Sequence, residues 1–171
     1  MKIRLAGKKN ESLIDGPGIS FVIFTQGCLQ KCPGCHNPDA QPLDGGTELT
    51  LEELQEEINS SVSIDTLVFS GGEPFLQASA LARLGSWAHE KGLRIVTYTG
   101  YTFEYLQELS EEFPEYADLL KVTDILIDGA YVAEERDLTL AYRGSKNQRI
   151  LDCKLSCQGN TPITVDRYMK G

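Results

Sequence analysis

The chain has 171 residues and a formal net charge of −9, with 41% hydrophobic and 24% charged residues. This length fits one domain with its own core, residues 1–171, and is too short for a complete eight-fold β/α barrel of about 250 residues. The acidic balance argues against a nucleic-acid partner. No apolar run approaches the length of a membrane span or a signal core, so we expect a cytoplasmic protein without a membrane partner.

The predicted elements alternate between short apolar strands and amphipathic helices. The capping box Thr50–Glu53 marks the start of one helix, Gly92 suits the end of the next, and Thr102 begins a third that breaks at Pro114. One or two weaker strands follow residue 147. The four clear strands cover 21–24, 66–69, 93–98 and 124–128.

Strands and helices that alternate in this way predict an α/β protein with a parallel sheet and right-handed crossovers. With so few strands, the expected architecture is an incomplete parallel β/α barrel. Polar or small residues follow every clear strand, and ligands bind at that edge of parallel sheets. We therefore expect these segments to converge on one face: the cysteine loop (residues 26–37), 70–74, 97–100 and 128–129.

The cysteine loop carries Cys28, Cys32 and Cys35 in a C-x3-C-x2-C spacing. An iron–sulfur cube held only by protein usually takes four cysteines, so three thiolates leave one iron open to a small molecule. The alternative is structural zinc, which needs four tetrahedral ligands. His36 is poorly placed beside Cys35, and other candidate ligands lie far along the chain. An odd total of five cysteines indicates metal chemistry in a reducing compartment rather than a disulfide framework.

The segment Gly71-Gly72-Glu73-Pro74 directly follows a predicted strand. Glycines allow close approach of a ligand and expose N–H groups, and a glutamate can accept from an ammonium group. This combination suits a ligand with an amino-acid moiety. An ordinary turn is the alternative.

Together, the cysteine spacing and Gly-Gly-Glu-Pro resemble the radical S-adenosylmethionine (SAM) enzymes over nearly the whole chain. The entry segment 15–28 is similar to glycyl-radical-enzyme activases. More narrowly, four segments are similar to the activating proteins of anaerobic ribonucleoside-triphosphate reductases: 32–37, 98–101, 124–129 and 143–149.

The resemblance implies a [4Fe–4S] cluster on the three cysteines, with SAM chelating the open iron. It also implies an activase that cleaves SAM reductively to a 5′-deoxyadenosyl radical, which takes a hydrogen atom from a glycine of the reductase. The expected electron donor is a flavodoxin-type protein, and no acid–base catalytic residue is nominated. The candidate cofactor-binding residues are Gly71, Gly72, Glu73, Thr97, Thr99, Asp128 and Asn37.

One departure concerns Gly34, where many radical SAM proteins carry an aromatic residue before the third cysteine. This leaves open what packs against the adenine, for which His36 is one candidate. Cys153 and Cys157 could share a helix face, either as inert packing or as a binding pair.

The segment from about 143 to 171 has a formal charge of +4, against −13 for the rest of the chain. Such a segment could face an acidic protein or an anionic ligand, or be ordinary solvated surface. Its polar run, residues 143–149, suits binding to a partner's backbone. The candidate partner-facing residues are Arg143, Ser145, Asn147 and Gln148.

Three rival functions remain open on the sequence. The first is an activase for another glycyl radical enzyme, such as a formate lyase. The second is a radical SAM enzyme acting on a small metabolite, which would normally need a longer chain. The third is a zinc-stabilised binding module without catalysis.

Overall fold

The computed structural model describes residues 1–169. One sheet contains all the named strands: β1 (Lys2–Ser12), β2 (Ser20–Thr25), β3 (Thr47–Thr50), β4 (Thr66–Gly71), β5 (Arg94–Tyr98), β6 (Ile125–Asp128) and β7 (Arg149–Asp152). The helices are α1 (Leu51–Ser60), α2 (Ala78–Glu90), α3 (Phe103–Glu112), α4 (Pro114–Val122), α5 (Cys153–Gly159) and α6 (Asp166–Met169). Short 3-10 turns cover Pro38–Ala40, Pro74–Gln77 and Ala133–Glu135.

The strand order is β3-β1-β2-β4-β5-β6-β7. The central strands β2, β4, β5 and β6 pair in parallel, whereas β1, β3 and β7 join antiparallel. This arrangement confirms the α/β class and the parallel centre of the sheet. The incomplete-barrel form stays a prediction, because the pairing order alone does not define how the sheet curves.

The central strands bury both of their faces, as their continuous apolar sequences predict. Side chains alternate along each strand, so Phe21 and Ile23 belong to one core cluster while Val22 belongs to another. The larger cluster also includes apolar residues of α1, α2, α3 and α4. The smaller cluster contains Val68, Val96 and Ile127 and packs against side chains near the chain's end, such as Tyr142 and Tyr168.

The predicted start of α1 is confirmed in detail. Thr50 Oγ1 accepts from the Glu53 N–H at 3.1 Å, and Glu53 Oε2 accepts from the Thr50 N–H at 2.7 Å. This reciprocal pair satisfies two N–H groups at the helix terminus. No helix within residues 1–169 is long and apolar enough to cross a bilayer.

Strands β1 and β3 and helices α4 and α6 were missing from the sequence-based prediction. β1 is mostly exposed and rich in lysine, so only Ile3, Leu5 and Ser12 are buried along it. β3 is short and pairs with β1 at the sheet edge. Pro114 ends the α3 pattern as expected, and the chain continues directly into α4, with Pro114 in its first turn.

Candidate functional site

A cavity of about 430 Å³ lies at the carboxyl ends of the parallel strands. Segments that follow β2, β4, β5 and β6 all contribute to its wall, as the sequence pattern predicted. Phe24, Tyr98 and Tyr142 connect the cavity to the smaller core cluster. The predicted site residues in its lining are Cys28, Cys32, Cys35, Asn37, Gly71, Gly72, Glu73, Thr99, Arg143 and Gln148.

The cysteine loop is held at its base by backbone hydrogen bonds. The N–H of Gly27 donates to Ala40 O at 2.6 Å, and that of Cys28 donates to Gln41 O at 3.0 Å. Positive φ angles at Gly27 (107°) and Gly34 (75°) reverse the chain, a conformation that glycine adopts without steric cost. The loop therefore folds back on itself within a few residues.

All three thiols of the loop are free and half-buried. Burial is the largest cause that raises the pKa of the Cys28 thiol above its ordinary value, and backbone N–H groups partly oppose it. The Asn37 N–H donates to Cys35 Sγ at 3.4 Å. Three thiol donors on one cavity fit the ligand chemistry of an iron–sulfur cluster with an open iron.

Within residues 1–169, no group of three or more His, Cys, Asp or Glu side chains is gathered closely enough to hold a single metal ion. Ligation by Cys28, Cys32 and Cys35 therefore stays a prediction, based on their shared cavity and their spacing.

Gly71 and Gly72 bring the end of β4 against the base of the cysteine loop. A Cβ at Gly72 would lie 2.3 Å from Gly27 O, and Gly71 has a φ of 98°. The Gly72 N–H donates to Thr25 O and the Glu73 N–H donates to Gly27 O, each at 2.8 Å. These N–H groups are bonded within the chain rather than exposed to a ligand, contrary to our expectation.

The carboxylate of Glu73 is 1% exposed and joins the loops of the cavity. Thr99 Oγ1 donates to Oε1 and the Gly100 N–H donates to Oε2, both at 2.8 Å. Gln30 Nε2, from the cysteine loop, donates to Oε2 at 3.3 Å, and the Phe75 N–H donates to Oε1 at 3.2 Å. Burial raises the pKa of Glu73 to about 7, although the hydrogen bonds from Gly100, Thr99 and Phe75 lower it. Glu73 thus connects the cysteine loop to the end of β5.

Thr97 and Asp128 are not among the residues that line the cavity. Thr97 is fully buried, and its Oγ1 lies 2.9 Å from Thr123 Oγ1. Asp128 accepts from the Phe103 N–H at 2.7 Å and forms an ion pair with Arg149. The structure therefore gives both polar side chains internal partners, and cofactor contact stays a prediction for them.

The polar run is turned largely toward its own chain. Arg143 is 7% exposed, and its guanidinium donates to Gln148 O at 3.1 Å and Met169 O at 3.2 Å. Ser145 is fully buried and donates to Asn147 Oδ1 at 2.6 Å. Asn147 is exposed and Gln148 is half-buried, so partner contact stays a prediction for this segment. The last two positions of the longer basic segment, 170 and 171, lie outside the described residues.

Gln30 and Arg149 make contacts that the sequence did not indicate. Gln30 lies between two cysteines and contacts Glu73, while Arg149 binds Asp128. Cys153 is buried with Sγ 3.3 Å from Leu120 O, which fits internal packing. His36, the adenine candidate, is exposed at the cavity edge and contacts the ring of Tyr131.

Comparison with known proteins identifies the family to which the chain belongs. Residues 14–151 match the model of a 4Fe-4S single cluster domain. The chain belongs to this family, as a radical SAM glycyl-radical activase, and is an enzyme.

The relatives of the chain include activating proteins of two different enzymes. The chain is 34% identical over 148 residues to the anaerobic ribonucleoside-triphosphate reductase-activating protein of Enterobacteria phage T4, covering 80% of this chain and 86% of that protein. It is 33% identical over 150 residues to the pyruvate formate-lyase-activating enzyme of Clostridium pasteurianum, covering 84% of this chain and 59% of that enzyme. For the Staphylococcus aureus enzyme of the same name, identity is 30% over 162 residues, with 89% and 62% covered. The match thus spans less than two thirds of these formate-lyase activases.

Proposed function

We propose that this enzyme generates the glycyl radical of an anaerobic ribonucleoside-triphosphate reductase. The observation that carries the proposal is the single cavity shared by three free thiols and the Gly71–Glu73 turn. Held there, a reduced [4Fe–4S] cluster would supply one electron to SAM, whose C5′–S bond would break to release methionine and a 5′-deoxyadenosyl radical for hydrogen abstraction from a partner's glycine.

The chain's own residues hold and orient these groups. Cys28, Cys32 and Cys35 would ligate the cluster through their thiolates. The Gly71–Glu73 turn would face the amino-acid end of SAM, and the Glu73 carboxylate keeps this turn fixed to the cysteine loop through Gln30. Asn37 and Thr99 line the same cavity and would contact the cofactor there. Positioning is the protein's main contribution to such chemistry.

The reductase is the preferred partner because the similarity extends over most of the phage relative's length. Formate-lyase activases share comparable identity over a smaller part of theirs, so a formate lyase is the second candidate. A family model for a 4Fe-4S domain over residues 14–151 favours a cluster over structural zinc. A flavodoxin-type donor and a cytoplasmic location complete the proposal.

Anaerobic reconstitution with iron and sulfide tests the function. Reconstituted enzyme, SAM and a reductant are mixed with either an anaerobic ribonucleotide reductase or a formate lyase, and electron paramagnetic resonance (EPR) then records a glycyl doublet. A doublet on the reductase alone supports the proposal, and one on the lyase alone transfers it to the second candidate. Colourless protein that retains zinc and no iron would overturn the radical chemistry. A Cys32→Ala variant serves as the negative control.

A further inference from the structure

Tyr131 forms an aromatic wall of the cavity that no sequence motif indicated. It follows β6 and the reversal at Gly129, where φ is 102°. Its ring lines the cavity and lies 4.8 Å, centroid to centroid, from the ring of His36 in the cysteine loop. The planes of the two rings are tilted by 59°. His36 is therefore a second aromatic side chain beside Tyr131 at this edge of the cavity.

Two glycines leave the space that this ring occupies. A Cβ at Gly34 would lie 3.5 Å from Tyr131 Cε1, and one at Gly144 would lie 3.2 Å from Tyr131 Cδ2. Any side chain larger than a methyl group at either position would compete with the ring for this space. Tyr131 therefore packs against the backbone of both the cysteine loop and the polar run.

The polar run fixes the backbone on both sides of Tyr131. Gln148 Nε2 donates to Gly129 O at 3.0 Å, and Asn147 Nδ2 donates to Ala130 O at 2.7 Å. On the other side, the Val132 N–H donates to Ser145 Oγ at 3.2 Å. Three side chains thus bind three of the four residues from 129 to 132, and the remaining residue is Tyr131.

Arg143 adds a second layer to this support. Its guanidinium donates to Gln148 O, while Gln148 Oε1 accepts from the N–H groups of Gly144 and Ser145 at 2.8 and 3.1 Å. The amide of Gln148 therefore joins the polar run to the Gly129 carbonyl. These side-chain hydrogen bonds around residues 129–132, which are buried or half-buried, indicate that the ring is held in a defined place.

From these contacts we propose that Tyr131 binds the purine ring of SAM by stacking. Asn147 and Gln148 act as positioning residues for Tyr131. The inference rests on the proposed function and specifies how that site recognises the nucleoside. A planar heteroaromatic group gains from contact with an aromatic face, and Tyr131 is an aromatic wall shared by the cysteine loop and the polar run.

Binding measurements on the reconstituted enzyme test this role with two ligands. SAM carries the purine, whereas methionine has the same amine and carboxylate without it. Tyr131→Leu should raise the Kd for SAM about tenfold, because the purine loses its stacking contact with an aromatic ring. The Kd for methionine should not change, because methionine has no ring to stack. Tyr131→Phe keeps the ring and should stay within about twofold of the native enzyme. Iron and sulfide contents establish that each variant still holds its cluster.

The positioning role has its own test. Asn147→Ala should weaken SAM binding by about threefold, because the Ala130 carbonyl loses its side-chain donor. Combined with Tyr131→Leu, it should add no further loss, since both changes act on the same ring. Additive losses would overturn the positioning role of Asn147.

Each remaining outcome decides a different part of the inference. Unchanged SAM binding in Tyr131→Leu overturns the stacking role while the proposed function stands. Equal loss of SAM and methionine binding also overturns it, because Tyr131 would then only brace the cysteine loop. Native enzyme that holds its cluster but does not bind SAM overturns the proposed function and, with it, the inference.

Discussion

Arg149 binds the buried carboxylate of Asp128 through two nitrogens, with Nε 3.0 Å from Oδ1 and Nη2 2.5 Å from Oδ2. Asp128 ends β6, Arg149 begins β7, and Asp128 also accepts from the N–H of Phe103 at the start of α3. The pair therefore joins two strands and a helix next to residues 129–132, the segment that carries Tyr131. Its second partner, Glu104, is largely exposed.

Removal of Arg149 should destabilise the protein strongly. Arg149→Leu leaves the carboxylate of Asp128, which is 1% exposed, without its counter-ion, and such losses cost about 3–5 kcal/mol of unfolding free energy. Glu104→Gln is the matched control, because an exposed ion pair contributes less than about 1 kcal/mol. Urea unfolding of the apo-enzyme measures both, and equal effects would contradict the structural role of the buried pair.

The stability of the apo-enzyme should depend on pH through Glu73. Its pKa of about 7 lies above the ordinary 4.5, so the folded state holds a proton that the unfolded state has released. The contribution of the protonated Glu73 side chain to the free energy of unfolding is therefore complete below about pH 4.5. It is lost as the pH rises through 7, at up to about 1.4 kcal/mol per pH unit. Glu73→Gln should flatten this slope between pH 5 and 7.5 in urea unfolding. A slope that persists in the variant would assign it to another group.

Iron binding should require the three cysteines of the cysteine loop but not Cys157 on α5. Replacement of Cys28, Cys32 or Cys35 by serine should abolish iron and sulfide incorporation, since thiolates are the required ligands. Cys157→Ser is the control, because Cys157 lies on α5, outside the residues that line the cavity, and iron content should not change. Iron loss in this control would instead place Cys157 among the cluster ligands.

Contact between β4 and the cysteine loop predicts intolerance of a methyl group at Gly72. In Gly72→Ala the new Cβ would lie 2.3 Å from Gly27 O and 2.9 Å from Ala40 O, and relief of such overpacking costs about 1–3 kcal/mol. Gly7→Ala is the matched control, because its Cβ would meet nothing within 4 Å. Thermal melting compares the two variants, and equal melting temperatures would show that the loop moves aside without cost.

The central strands were predictable because both of their faces are buried. Residues 21–24 and 67–69 are continuous apolar runs, as is typical of a strand between two packed layers. By contrast, β1 is exposed along most of its length and pairs through backbone groups that every residue carries. Its lysines and asparagine therefore gave no strand signal.

The site was predictable where chemistry requires particular residues at a fixed spacing. Cys28, Cys32 and Cys35 line one cavity, as their sequence separation suggested. Thr97 and Asp128 also end strands, yet they bind internal partners. Whether the polar residue at the end of a strand reaches a cavity depends on the elements packed beside it. The sequence of that strand alone does not reveal these neighbours. Tyr131 belongs to no periodic pattern, so only the fold reveals its place over Gly34.

The direction of β7 has a consequence for the cavity entrance. Because β7 runs opposite to β6, it begins at the end of the sheet where the parallel strands finish, and the residues ahead of it arrive beside the cavity. If β7 were parallel to β6, these residues would instead lie at the far end of the sheet, after another helical crossover. Insertions or deletions between residues 133 and 142, a segment that contributes Leu138 and Tyr142 to the cavity lining, would therefore reshape the mouth of the site while every strand keeps its register.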